Sequence, residues 1–286
     1  MPDTFDYEVT EQNAIATVLA ALESPLNYLD TAAAYADGES ERRIGLALRQ
    51  IGGLPRGAFL QTKEGQSPDG VYSGEMVKRR FHRSLENLGV DRVDLVFLHD
   101  PESIAWDAAW ATGGPVEALQ ALKDEGLIGH LGVAGGPVEM EIRFVESGVF
   151  DAVITHNRYT LLNRAADPLL TLAAEKGLAV LNAAPYGSGI LAKGPAQYPR
   201  YAYQTAESGA VDQAFRYQDI CDRHGVPLAA AALQFSLRDS RITNTIVGMT
   251  RPERIQQTID FANWDIPEVC WEEIMAEPFD NNDLNR

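Results

Sequence analysis

Two cysteines, Cys221 and Cys270, are all that the 286 residues hold. That excludes a disulfide framework and suits a reducing compartment. Basic charge is also short: 24 Lys and Arg face 41 Asp and Glu, for a formal net charge of -17. A chain so acidic is repelled by nucleic acid and by anionic membrane surfaces unless it carries a separate basic patch. None is present, since the densest basic run, Lys78–Arg83, sits in a helical pattern with acidic neighbours. No apolar run approaches the ~18 residues of a membrane span. Met1-Pro2-Asp3-Thr4-Phe5-Asp6 lacks the basic and apolar regions of a signal peptide. The five histidines are scattered without metal-ligand spacing, and no G-x-S-x-G elbow occurs. The expectation is a soluble, cytoplasmic protein with no metal, nucleic-acid or membrane partner.

What the chain does have is apolar material, 45% of its residues, enough for a large core. It is dealt out in short runs at Leu26–Asp30, Ala58–Lys63, Val93–His99, Ile128–Gly135, Ala152–Asn157, Ala179–Pro185 and Asn244–Thr250. Each is apolar on both faces and bounded by Gly, Pro or charge, as strands buried between two layers are. Helical stripes lie between them. Ile15, Val18, Leu19 and Leu22 form one; Met76, Phe81, Leu85 and Leu88 form another, with Ser73 as its N-cap and Gly89 as its stop. Strand-then-helix alternation argues for an α/β fold with parallel strands. The count is seven strands, one fewer than a closed (β/α)8 barrel needs, with no room for another before a first helix near Thr10. Nothing divides the chain, so residues 1–286 are expected to form one domain. Lys193–Gly209, rich in Tyr, Gly, Pro and Ala, shows no clean period and is expected to be a lid or substrate loop.

The chemistry stands where strands end. Asp30, Lys63 and His99 each close a different buried run, and Tyr35 follows the first by five residues. In parallel sheets, sites form at the carboxyl ends of strands. A tyrosine hydroxyl titrates near ~10, too high to give up a proton readily at neutral pH. A nearby ammonium favours the phenolate, a carboxylate holds that ammonium, and a histidine can orient a carbonyl oxygen. Such a set suits proton transfer at a carbonyl or alcohol oxygen with the hydride supplied by a cofactor. Singly, each residue has a plainer explanation: a turn-capping Asp, a surface Lys, a loop Tyr, a buried hydrogen-bonded His. Coincidence at three successive strand ends is what raises the set above its members. Lys63 as a Schiff-base amine is a weaker alternative.

Two further stretches bear on a ligand. Gly187-Ser188-Gly189-Ile190-Leu191-Ala192 matches G-x-G-x-x-A, but Lys193-Gly194-Pro195 cuts short the helix that the fingerprint must open, so a loop is expected. Gly248-Met249-Thr250-Arg251-Pro252-Glu253-Arg254 runs from a strand into a helix, where backbone amides and two arginines could hold a phosphate.

At these residues the sequence resembles the aldo-keto reductases. Asn27-Tyr28-Leu29-Asp30-Thr31-Ala32 with Tyr35 and Ser40-Glu41-Arg42-Arg43-Ile44-Gly45 is similar to that family's first signature. Ser84-Leu85-Glu86-Asn87-Leu88-Gly89-Val90-Asp91-Arg92-Val93-Asp94-Leu95 with His99 is similar to the second, and Lys63 takes the place of the family lysine. Arg158-Tyr159-Thr160-Leu161-Leu162 and His224–Phe235 look most like the aldose 1-dehydrogenase branch, with its L-fucose, L-galactose and pyridoxal dehydrogenases. The resemblance implies a (β/α)8 TIM barrel and an NAD(P)-dependent oxidoreductase acting on an aldose or small aldehyde. Tyr35 would be the acid–base group, Asp30 and Lys63 its tuning pair, and His99 the group orienting substrate oxygen. Pro185, Gly187, Ser188 and Ile190 would line the pyrophosphate channel. Gly248, Thr250, Arg251 and Arg254 would lie along the adenosine phosphate site, tilting the choice toward NADP over NAD, with Gln257 near the adenine.

Some positions depart from the family pattern. Gly135 and Gly136 stand where a polar pair usually holds the nicotinamide, His156 where many members carry Gln for that task, and Ala183 where an aromatic often stacks. Family members also begin with a glycine-bearing strand ahead of the first helix. The barrel is therefore expected to lack its N-terminal first strand. The alternative function this raises is a catalytically impaired cofactor-binding or structural protein.

Overall fold

The structure, a computed structural model, describes residues 9–284. In chain order its elements begin α1 (Glu11–Leu22), β1 (Tyr28–Asp30), α2 (Glu39–Gln50), β2 (Phe59–Glu64), α3 (Gly74–Leu88) and β3 (Val93–His99). A 3-10 turn (Pro101–Ser103) then leads to α4 (Trp106–Ala109), α5 (Pro115–Asp124), β4 (Ile128–Ala134), α6 (Val138–Glu146) and β5 (Ala152–His156). The chain continues with α7 (Asp167–Glu175), β6 (Ala179–Ala183), α8 (Ile190–Lys193), β7 (Arg200–Tyr201), β8 (Gln204–Thr205) and α9 (Ser208–Arg223). Last come α10 (Leu228–Leu237), β9 (Asn244–Ile246), α11 (Glu253–Ala262) and α12 (Glu268–Ala276).

Among the described residues seven strands belong to one sheet; six lie inside the expected apolar runs, and β2 runs one residue past its own, to Glu64. The chain start, where the sequence offered no eighth strand, includes residues 1–8, which lie outside the described residues. Two short strands were not anticipated. β7 and β8 pair antiparallel within Lys193–Gly209, across a turn whose Ala202 and Tyr203 have φ of 47° and 67°. Two-residue strands are too short to leave a period-two signal, but the left-handed pair is the turn that closes such hairpins.

By their contacts the residues group into two compact units. The first comprises Met1–Gly135, Arg143–Val153 and Met249–Gln256. In it β1, β2, β3 and β4 pair in parallel, and α3 packs its apolar stripe beneath them. Ser73 caps α3, accepting from the Met76 amide at 3.3 Å, and Gly89 ends it at φ 70°. Leu60, Val77, Phe81, Leu88, Val96 and Phe97 are fully buried there, each contributing roughly 2 kcal/mol of apolar burial. The second unit comprises Gly136–Ile142, Ile154–Gly248 and Gln257–Arg286. β6 and β9 pair in parallel, with Asn182 opposite Thr245. Its α10 is apolar nearly all round and accordingly buried along most of its length. Among the described residues no helix is long and apolar enough to cross a membrane.

Candidate active site

Three strand ends and one turn, all in the first unit, build the site. β1 ends on Asp30, β2 carries Lys63 one residue before its end, and β3 ends on His99. Parallel register sets Asp30 opposite Gln61, Lys63 opposite Phe97, and His99 opposite Ala134. Gly65 lets the end of β2 crowd the end of β3, because a Cβ there would lie 2.9 Å from the His99 carbonyl oxygen. Tyr35 sits in the turn after β1, its amide donating to the Ala32 carbonyl at 3.0 Å. Ala36 and Asp37 follow at φ 51° and 50°, a left-handed pair that swings the chain into α2.

The four side chains converge. Lys63 Nζ donates to Asp30 Oδ1 at 2.5 Å, to the Thr31 carbonyl at 2.8 Å and to Tyr35 Oη at 3.2 Å. The Tyr35 and His99 rings meet edge-on, with centroids 5.8 Å apart. Lys63 is only 3% exposed. Burial alone lowers an ammonium pKa, but here the Asp30 carboxylate and the Tyr35 oxygen together outweigh it and hold Lys63 above its ordinary value. Lys63 therefore stays charged at neutral pH. A charged donor on the Tyr35 oxygen favours the phenolate, which is the tuning that proton transfer requires.

Three neighbours complete the set, and the sequence analysis did not single out any of them. Gln61 Nε2 donates to Asp30 Oδ1, and its Oε1 accepts from Tyr28 Oη. Period two was the available signal: Gln61 stands two residues before Lys63, and Tyr28 two before Asp30, so each pair shares a strand face. Burial, then Asp30 and Asp94, push the Tyr28 pKa up, keeping its hydroxyl a neutral donor. Asp100 follows His99 at φ 47°, with Oδ1 3.6 Å from His99 Nε2. Burial and Glu102 push its carboxyl up to about 6, against the pull of Lys63.

The candidate cofactor residues lie in two other stretches. In the second unit β5 ends on half-buried His156, whose ring centroid is 6.1 Å from that of Tyr203. After β6 come Pro185, then Gly187, Ser188 and Gly189 at φ 57°, 61° and 121°, before Ile190 opens α8. The expected loop thus contains a four-residue helix, ended by Gly194. Beside it Asn157, 1% exposed, accepts from Ser188 Oγ at 3.0 Å. Asn157 Nδ2 has no hydrogen-bond partner among the described residues. An unspent buried donor next to Ser188 fits a carboxamide or phosphate oxygen. Gly248, Thr250 and Arg251 lie between β9 and α11, while Arg254 and Gln257 belong to α11. The Arg251 and Arg254 side chains are exposed, as anion-binding groups at a helix start must be.

With this geometry in place, comparison with known proteins is direct. The model of the aldo/keto reductase family matches residues 3–276. A D-threo-aldose 1-dehydrogenase of a Pseudomonas species is 32% identical over 93% of this chain and 88% of its own. A pyridoxal 4-dehydrogenase of Microbacterium luteolum is 28% identical over 94% and 89%, and an L-galactose dehydrogenase of Arabidopsis thaliana 29% over 88% and 78%. Among solved structures, an aldo-keto reductase from Bacillus halodurans in its holo form superposes with a TM-score of 0.74. It covers 96% of this chain and 94% of that one at 21% identity, a likeness of fold. The strand-and-helix order, the converging Asp30, Tyr35, Lys63 and His99, and the match over nearly the whole length agree: the chain belongs to the aldo/keto reductase family, whose (β/α)8 barrel fold it shares, and is an NAD(P)-dependent oxidoreductase.

Proposed function

We propose that this enzyme interconverts an aldose, or a small aldehyde, with its oxidised or reduced partner, and that Tyr35 is its acid–base residue. The observation that carries this reading is the Lys63 ammonium, 3.2 Å from Tyr35 Oη and held in place by Asp30. In oxidation, Tyr35 Oη takes the proton of the anomeric hydroxyl; in reduction, it returns that proton to the carbonyl oxygen. Lys63 stabilises the phenolate form of Tyr35, Asp30 keeps Lys63 charged and aimed, and His99 orients the substrate oxygen. The bound NAD(P) supplies the hydride acceptor or donor. Charged Lys63 also speaks against a Schiff-base role, which needs a neutral amine. The substrate class is supported by relatives named for D-threo-aldoses, pyridoxal and L-galactose.

His156, Pro185, Gly187, Ser188 and Ile190 are the residues we assign to the nicotinamide and pyrophosphate. Gly248, Thr250, Arg251, Arg254 and Gln257 are those we assign to the adenosine end. The exposed arginine pair supports NADP over NAD. The family match runs unbroken from residue 3 to 276, which supports treating the chain as one catalytic domain. The direct test is Tyr35→Phe. Turnover of aldoses is expected to fall about 10²- to 10⁴-fold, while NADPH still quenches tryptophan fluorescence saturably. Full turnover in that variant would remove Tyr35 from the mechanism.

A further inference from the structure

Strand β2 serves two environments. Gln61 and Lys63 point to the Asp30 and Tyr35 side; Thr62 and Glu64, on the opposite face, point to α2 and α3. There two carboxyl groups meet in the interior: Glu64 is 0% and Glu41 1% exposed. Thr62 Oγ1 donates to Glu41 Oε1 at 2.6 Å, and Asn87 Nδ2 reaches Glu41 Oε2 at 3.5 Å. Ser84 Oγ donates to Glu64 Oε1 at 2.9 Å. Arg80 brings a guanidinium, but its Nε is 3.8 Å from Glu64 Oε2, and neither of those atoms has a hydrogen-bond partner among the described residues.

Donor counting decides the protonation. With both ionised, Glu64 would have one neutral donor for two buried oxygens, and its Oε2 none among the described residues. Two buried carboxylates beside one loosely placed guanidinium do not both ionise. Glu41 has two donors, Thr62 and Asn87, whereas Glu64 has only Ser84, so the proton belongs on Glu64. Burial, and then repulsion from Glu41, push the Glu64 carboxyl in this direction, well above the carboxylate range.

We propose that Glu41 and Glu64 share a single proton at neutral pH, carried by Glu64, and that this neutral Glu64, hydrogen-bonded with Ser84, is a positioning residue that holds β2, and Lys63 with it, against α2 and α3. The charged and titratable groups around the pair are few. α2 contributes Glu41, and α3 contributes Arg80 and, paired with Asp37, Arg83. The segment before α3 contributes Tyr72, whose hydroxyl bonds the carbonyls of Glu64 and His99. Lys63 sits on the other face of β2. Ionisation of Glu64 adds an unpaired charge at the strand that carries the catalytic lysine, so alkaline pH loosens the support of Lys63. A carboxyl whose pKa is raised on folding binds its proton more tightly in the folded state. Its contribution to stability therefore declines as pH rises from the ordinary Glu range toward the folded value, by up to tenfold in the unfolding constant per pH unit.

The test is infrared spectroscopy at pH 8 together with thermal unfolding across pH 5 to 9, on wild type, Glu64→Gln and Ser84→Ala. Wild type is expected to show a carboxylic-acid C=O band that Glu64→Gln lacks and that Ser84→Ala shifts in frequency. Glu64→Gln is expected to gain stability relative to wild type as pH rises, because its amide is neutral in both states. Absence of the acid band in wild type at pH 8, or an identical pH dependence of unfolding in Glu64→Gln, overturns the proposal. Should Glu64→Gln not fold, the wild-type band and its shift in Ser84→Ala still decide.

Discussion

Asp30 Oδ1 accepts from Lys63 Nζ at 2.5 Å, and this contact sets the charge of the candidate site because Lys63 has almost no exposure to water. Asp30→Asn removes the charge and leaves the buried ammonium unpaired. The expected cost is about 3 kcal/mol at pH 7, read by denaturant unfolding. The sign with pH follows from the raised folded pKa of Lys63: the pair stabilises fully below the ordinary value of 10.5 and fades as pH rises through the folded value. The gap between wild type and variant should therefore close only above about that pH. A gap that closes near neutrality would contradict a charged Lys63.

At the proposed adenosine end, Arg251→Ala and Arg254→Ala are expected to weaken NADPH binding about tenfold each, the worth of one exposed charged contact to phosphate. NADH binding should change little. Fluorescence titration with both dinucleotides separates the cases, and equal losses for the two would remove the 2′-phosphate from the assignment.

In the second unit Asp239 accepts from Tyr159 Oη at 2.5 Å and from Arg241 Nη2 at 2.6 Å. Burial would raise its pKa, but the Arg241 and Tyr159 hydrogen bonds outweigh it and bring the carboxyl down to about 2. A depressed pKa stabilises above the unfolded value and is lost as pH falls through the folded one. Asp239→Asn should thus cost about 2 kcal/mol at pH 7, with the difference from wild type shrinking between pH 4 and 2. A pH-independent difference would mean that packing, not charge, is what the variant lost.

Arg158, 2% exposed, donates to Asp283 Oδ1 at 2.5 Å and to the Leu284 carbonyl at 2.9 Å. The same Asp283 accepts from the Val138 amide at 2.7 Å. Asp283→Ala strands a buried guanidinium and should destabilise by about 3 kcal/mol. Hydrogen exchange at the Val138 amide should rise in step; unchanged protection there would show that the C-terminal segment is held by other contacts.

The four candidate site residues were legible because strand ends are legible. Asp30, Lys63 and His99 close apolar runs whose lengths the sequence displays, and a parallel sheet brings such ends to one side. Gln61 and Tyr28 carried only the weaker signal of period two, which marks a shared strand face and no chemistry. Glu64 carried no signal of its own. In sequence a strand residue that faces helices looks the same as one that faces a site.

Local chemistry, then, settled the seven main strands, the Ser73 cap and Gly89 stop of α3, and the positions of Asp30, Tyr35, Lys63 and His99, since propensity, capping and apolar run length act over a few residues. Tertiary structure decided the rest. It made the hairpin of β7 and β8, which is too short for any period. It surrounded Lys63 so that carboxylate and phenol outweigh burial, and it buried Glu41 and Glu64 together between β2, α2 and α3. The last two depend on contacts between residues 20 to 33 positions apart, which only the packed chain specifies.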